Sequence, residues 1–315
     1  MGKRTGQGAV SAAKKYIDPL TDFGFKYLFG REPHKDLLIA FLNVLLKRKK
    51  RIVDLTYTKN EYPGPRKGSR VVVYDLTCTG PDGEQFIIEV QRVGQPFFKD
   101  RGVYYASRLI HDQAPKGNEW DYHLKEVYFI GLMNFRFKDS APEKYIHRVR
   151  LAETSGQSFY DKLSLIFIEI PKFTKRQEDL NTDLDRWLYV LKNLSKLKKF
   201  PVILKKRIFE KLFNIASVCN LSKREYMRYE KNMMARWDEY VYRKTLREEG
   251  IEKGIEKGIE KGIEKGMKKG MKKGAREKTC EFIKALLAKG GYTIRDIADL
   301  TGVSEAFVRK VKKAV

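Results

Sequence analysis

Cysteine is scarce in this chain. The three residues, Cys78, Cys219 and Cys280, make no CxxC pair and no even set, which argues against a disulfide framework and for reduced thiols in a cytoplasmic protein. Histidine is equally sparse, and the four are too dispersed for a structural zinc site. No uninterrupted apolar run nears the ~18 residues needed to cross a bilayer, so no membrane partner is expected. The basic start, Met1–Tyr16, lacks the apolar stretch of a secretory signal. There is no GxGxxG and no GxxxxGK[ST], so no nucleotide cofactor has a visible cradle. His111 and His123 have no partner spacing, and no Ser-His-Asp arrangement stands out.

Acidic residues are the minority charge. Against 40 Asp+Glu stand 65 Lys+Arg, a formal charge of +25 over 315 residues. Such an excess suits a polyanionic partner, nucleic acid first; a merely solvated basic surface is the alternative. With 42% hydrophobic and 12% aromatic residues the chain can bury a core, which excludes disorder throughout.

The chain divides by texture. After a basic stretch over 1–15, residues 16–175 alternate strand-like and helical patterns, which argues for an α/β domain with a mixed sheet flanked by helices. Lys35–Lys47 has helical spacing of Leu38, Phe41, Leu42 and Leu45. Ile52–Lys59 reads as a strand, broken by Tyr62-Pro63-Gly64-Pro65. Arg70–Thr79 and Gln85–Gln91 form a hairpin around Pro81-Asp82-Gly83, where Pro fixes φ and Gly accepts positive φ. Phe97–Ile110 follows as a helix. Glu126–Phe135, almost wholly apolar, reads as a central strand, and Leu163–Ile170 as another.

Residues 176–248 read as helical, and 249–277 hold a repeat, GIEK four times and then GMKK twice. A period of four lies close to 3.6, so Ile251, Ile255, Ile259, Ile263, Met267 and Met271 make a slowly rotating stripe on a helix. Glycine at every fourth position costs about 1 kcal/mol each relative to alanine, so an isolated helix is expected to be marginal. The segment is either a charged linker or a surface for homo-oligomer contact through the small residues. In the tail, 278–315, Thr293-x-x-Asp296 is a capping box, Gly302 permits a bend and Ser304 can cap a further helix. This spacing suits a helix-turn-helix with Arg309 and Lys310 placed for phosphate, or a small helical bundle for protein contact.

The chemistry concentrates in the hairpin. Asp75 and Glu89 interrupt apolar strands, where a charge is costly unless paired or metal-bound. A turn centred near Pro81–Asp82 puts Asp75 opposite Glu89, with opposed Cβ atoms roughly 5 Å apart and Gln91 on the same face. Two carboxylates so close repel unless a cation lies between them, and hard oxygen ligands suit Mg²⁺ or Mn²⁺. The alternative is an edge hairpin whose acids face water.

Asp75-(x13)-Glu89-Val90-Gln91 resembles the PD-(D/E)XK nuclease signature in the variant ending E-x-Q. The segment from Tyr16 through Asp18-Pro19-Leu20-Thr21-Asp22-Phe23-Gly24-Phe25-Lys26 to Gly30 is similar to the opening of the Rpn family, recombination-promoting nucleases also described as transposases. The repeat and short helical tail are likewise features of that family. The resemblance implies an α-β-β-β-α-β core, a restriction-endonuclease-like fold and DNA cleavage with Mg²⁺, or with Mn²⁺ or Ca²⁺ in its place. It implies that Asp75 and Glu89 hold the metal, while Gln91 stands where the superfamily usually has lysine. Glutamine offers a dipole in place of a cation. Lys26 is a candidate for the missing cation and Asp22 for an auxiliary ligand; surface charge and helix capping are their plainer roles. Arg101, Tyr105 and Arg108 share one stripe of the following helix, facing DNA or solvent. The expected function is a metal-dependent DNA endonuclease linked to recombination or mobile DNA. Gln91 keeps one rival open, a binding or regulatory module acting through its tail without cleavage; a second rival is a nuclease silenced by that tail.

Overall fold

The computed structural model describes residues 14–48, 50–62, 71–115 and 120–314. Most of the basic start, and the Pro-Gly-Pro break after Tyr62, lie outside them. Helix α1 (Asp22–Phe29) opens at Thr21, whose Oγ1 accepts the Gly24 N–H at 3.0 Å, so Thr21 and not Asp22 is the cap. Helix α2 (Lys35–Leu46) follows, then short strands β1 (Thr56–Tyr57), β2 (Glu61–Tyr62) and β3 (Val72–Val73). Next come β4 (Leu76–Thr79), β5 (Gln85–Gln91), α3 (Phe98–His111), β6 (Val127–Met133), β7 (Ile146–Ala152) and β8 (Ser158–Glu169). Helices α4 (Asp183–Asn193) and α5 (Arg207–Ala216) complete this part.

Six strands form one sheet in the order β1-β4-β5-β6-β8-β7, with β5, β6 and β8 parallel and the other neighbours antiparallel. The apolar β6 is central, as its composition predicts. Period-two alternation assigns the faces. Even-numbered Phe86, Ile88, Ile130, Leu132 and Ile168 meet the large core beneath α1, α2, α4 and α5. Odd-numbered Ile87, Phe129, Leu165 and Phe167 meet α3. Close approach of α3 depends on Gly102, where a Cβ would stand 3.0 Å from Phe129 Cε1 and Phe167 Cζ. The sheet flanked by helices is the α/β, PD-(D/E)XK-like architecture that the sequence resemblance implies.

The hairpin register, Leu76↔Ile88 and Thr77↔Ile87, follows from a turn at Pro81–Gly83 with Gly83 at φ +84°. The strand expected over Arg70–Thr79 is instead split. Its first part, β3, pairs with β2 in a separate two-stranded sheet, and the chain bends at Asp75 before β4 joins the main one. The strand expected over Ile52–Lys59 shrinks to two residues, because only Thr56 and Tyr57 find partners on β4. Strand β7 is absent from the sequence reading: five of its seven residues are exposed, so its pattern carries no buried stripe.

Helix α6 (Lys223–Lys289) runs unbroken through the repeat, and the boundary between two compact units falls within it, between Arg236 and Trp237. Marginal as an isolated segment, the repeat is helical here because it extends turns already formed on both flanks, sparing it nucleation. Lys–Glu pairs at i,i+4 such as Lys268–Glu264, 2.5 Å, add to this. In the second unit the end of α6 packs with α7 (Ile294–Thr301) and α8 (Glu305–Lys312) around Ile283, Ile297, Ala298, Val308 and Val311. Thr293 and Asp296 form the capping box and Gly302, at φ +66°, makes the bend. No helix among the described residues is long and apolar enough to cross a membrane.

Candidate active site

Glu89 and Gln91 continue the odd face of β5, so both project toward α3 at the C-terminal end of the strand. Asp75 reaches the same place by a different route. The bend takes it out of the ladder: its N–H donates to Glu89 Oε1 at 2.9 Å, and its own Oδ2 accepts the Val90 N–H at 2.7 Å. Asn60 holds the bend. Its amide donates to the Asp75 carbonyl at 3.2 Å, and its Oδ1 accepts the Thr77 N–H at 3.2 Å. Nothing in the sequence singled out Asn60, because the loop that carries it becomes a support only when β4 lies beside it.

The two carboxylates share a dry environment. Glu89 is 1% exposed. Burial, followed by the charge of Asp75, pushes the Glu89 carboxyl up to about 8, against the opposing pull of Arg101. Burial likewise raises Asp75, with the Val90 N–H and Lys26 pulling the other way. Without a bound cation, the pair therefore holds a proton well above the ordinary carboxylate range.

Arg101 is the cation in direct contact. From α3 it donates to Glu89 Oε2 at 2.7 Å and to Gln91 Oε1 at 3.3 Å, while its buried Nε has no partner among the described residues. Its guanidinium lies 4.8 Å from the Tyr105 ring centre, and Tyr105 meets Tyr74 edge-on at 4.9 Å. The Gln91 amide donates to the Val93 carbonyl at 3.1 Å. Thus the expected stripe divides: Arg101 and Tyr105 stand at the carboxylates, whereas Arg108 pairs with Asp112 at 3.0 Å. Lys26 is ion-paired with Asp22 at 2.5 Å, one turn apart on α1, and its charge reaches both Asp75 and Glu89. In the second unit Arg309 and Lys310 lie exposed on α8, with Arg309 paired to Glu305 at 3.1 Å.

Among the described residues no group of three or more His, Cys, Asp or Glu gathers around a common point. The fit to a divalent ion rests instead on two neighbouring carboxylates whose proton affinity is raised by burial and, at Glu89, by the charge of Asp75. Their oxygens are the hard donors that Mg²⁺, Mn²⁺ or Ca²⁺ accepts. A metal held there would compete with Arg101 for Glu89.

A second buried carboxylate escaped the sequence reading. Glu169, wholly buried, accepts from the Phe137 N–H at 2.8 Å, from Ser140 Oγ at 2.5 Å and from Lys172 Nζ at 3.1 Å, and contacts His147 Nε2 at 2.7 Å. Because these donors hold Glu169 ionised, below the usual range despite its burial, it serves as an acceptor only. Lys172 also donates to the Ala141 carbonyl at 2.7 Å, so the cluster staples the loop after β6 to the end of β8.

The family model of the PD-(D/E)XK nuclease family transposases matches residues 19–245, a span that holds α1, the whole sheet and the Asp75–Glu89 pair. The chain belongs to that family. No curated protein and no solved structure matches it.

Proposed function

We propose that this member of the nuclease and transposase family is a divalent-metal-dependent DNA endonuclease acting in recombination or on mobile DNA. The observation that carries the reading is the buried Asp75–Glu89 pair, two acids locked together across the hairpin, whose shared burial and charge a divalent ion would offset. Asp75 and Glu89 would hold the ion, Mg²⁺ by preference, with Mn²⁺ or Ca²⁺ as substitutes. When bound it would polarise the phosphodiester and lower the pKa of water.

The protein's own groups do the rest. Arg101, when it releases Glu89, stands where negative charge builds on the phosphate and offers a planar fork of donors. Gln91, held between Val93 and Arg101, orients a hydrogen-bonding partner without adding charge. Lys26 supplies a further positive potential from α1. Tyr74 and Tyr105 wall the site on the α3 side and keep Arg101 in place. The basic surface and Arg309 and Lys310 of the tail bind DNA through phosphate, with affinity falling steeply in salt. The exposed Ile and Met stripe of α6, Ile251 to Met271, is the proposed surface for self-association, which sedimentation of the full chain would test.

Supercoiled-plasmid cleavage across Mg²⁺, Mn²⁺ and Ca²⁺ tests the reading, with EDTA and an Asp75→Ala/Glu89→Ala double variant alongside. Metal-dependent nicking that disappears in the variant is the expected result. A specific observation favours a second reading, a weak or inactive binding and regulatory module: Arg101 already occupies Glu89 Oε2, and Gln91 adds no charge. Equal, negligible cleavage by both proteins with DNA binding intact would favour it. Activity appearing after truncation near Gly250 would point to silencing by the tail.

A further inference from the structure

The first turns of α6 are built into the catalytic unit. Tyr229, buried, stands 5.8 Å from the Phe23 ring of α1, and its hydroxyl accepts the Asp18 N–H at 3.2 Å. Glu225 pairs with Arg31 at 2.7 Å, and Arg236 pairs with Asp18. Four contacts thus fix the rotation of α6 against α1. That rotation brings Arg228 and Asn232, one turn apart, to a recess of about 270 Å³ whose other wall holds Asp22, Lys26 and Arg31.

The charges here are unevenly matched. Lys26 is paired with Asp22, and Arg31 with Glu225. Arg228 is left with only the Phe23 ring, 6.0 Å away, and no carboxylate at ion-pair distance among the described residues. Asn232, half-buried beside it, brings an amide N–H. A guanidinium fork, an amide and an ammonium converging on one small recess form a donor set for a tetrahedral oxyanion. Lys26 joins this recess to the Asp75–Glu89 pair, since its charge acts on both carboxylates.

We infer that this recess between α1 and the root of α6 is a phosphodiester subsite, in which Arg228 and Asn232 grip a backbone phosphate of DNA beside the cleavage site. The inference rests on DNA being the substrate and extends that reading to a helix with no part in the carboxylate chemistry. It makes the root of α6 a DNA-positioning element. Arg228 and Asn232 touch the strand outside the reacting bond, so they set where the backbone lies and leave the chemistry to the hairpin.

The test is the salt dependence of binding, measured with the full chain and a fluorescent DNA duplex in EDTA, where no cleavage is required. Each phosphate neutralised by a cation contributes a slope of about −0.9 to log K against log salt. Arg228→Ala should make the slope shallower by about that amount and weaken binding alike across unrelated sequences; Arg228→Lys, which keeps the charge, should retain the slope. Arg228 is exposed, and an unchanged melting temperature would show that the fold survives. An Arg228→Ala slope equal to that of the wild type overturns the subsite, as does absence of duplex binding by the wild-type chain. A chain that binds with the expected slopes but never cuts would sink the nuclease reading and leave the subsite standing.

Discussion

Asp75 and Glu89 hold each other through the backbone. The Asp75 N–H donates to Glu89 Oε1, and the Val90 N–H, next to Glu89, donates to Asp75 Oδ2, at 2.9 and 2.7 Å. Each carboxylate is thus positioned by a peptide group of the opposite strand. The Asn60-held bend and the hairpin register beside it, more than side-chain freedom, set the separation of the two acids.

This mutual burial has a pH signature. In the ion-free folded chain the Glu89 carboxyl lies at about 8, whereas in the unfolded chain it returns to about 4.3. Across that interval the folded state holds a proton that the unfolded state has released. Stability from this group is therefore fully present below the ordinary carboxylate range and is lost as pH rises through the raised value. The melting temperature in EDTA should fall between pH 5 and pH 8 more steeply for the wild type than for Glu89→Gln. Equal slopes for the two proteins would contradict the raised value.

Arg101 opposes that upward shift from 2.7 Å. Replacing it with alanine should move the rising limb of cleavage rate against pH, read at subsaturating metal, upward, with Arg101→Lys in between. Loss of a preorganised donor should also lower the plateau rate by about 10²-fold. A pH–rate profile of the two variants checks both; an unshifted limb would separate Arg101 from the pair.

Asn60 acts on the site only through the Asp75 bend. Asn60→Ala removes the bonds to the Asp75 carbonyl and to Thr77. Cleavage should drop by about tenfold or more, as for other groups that orient a ligand, and stability by ~1–3 kcal/mol. Denaturant titration gives the second figure. Asn60→Asp, which keeps the acceptor for Thr77, should recover part of the stability but not the bond to the Asp75 carbonyl.

The turn has its own anchor. Glu84, 3% exposed, pairs with Arg48 at 2.6 Å, and Arg48 also reaches Glu126 at 2.8 Å. Arg48→Ala strands a buried carboxylate and should cost about 3–5 kcal/mol. The double variant Arg48→Ala/Glu84→Gln should regain much of it, because the buried charge is gone and Glu126, which also loses Arg48, is part-exposed. Urea midpoints of the two proteins decide this; equal losses would mean that packing of the arginine stem, not charge, carries the effect.

The hairpin was legible from the sequence because its determinants are local. Pro81-Asp82-Gly83 sets the turn, alternation sets the faces, and the register that opposes position 75 to position 89 follows by counting. The capping box at Thr293 and the bend at Gly302 were readable for the same reason: a helix end is specified within four residues. Other features depend on neighbours distant in sequence. The bend at Asp75 exists because Asn60 grips its carbonyl from 15 residues away. The edge strand β7 has no buried stripe to betray it, and its ladder on β8 decides its conformation. Tertiary packing turns Arg101 toward Glu89 on another element, whereas Arg108, on the same predicted stripe, pairs one turn along its own helix with Asp112. Arg228 meets Lys26 at one recess across some 200 positions of chain, brought there by the packing of Tyr229 on Phe23 and the Glu225–Arg31 and Arg236–Asp18 pairs. Spacing determined which residues could share a face; the packing of distant elements decided which charges meet, because burial and Coulomb interactions follow distance in space and not in sequence.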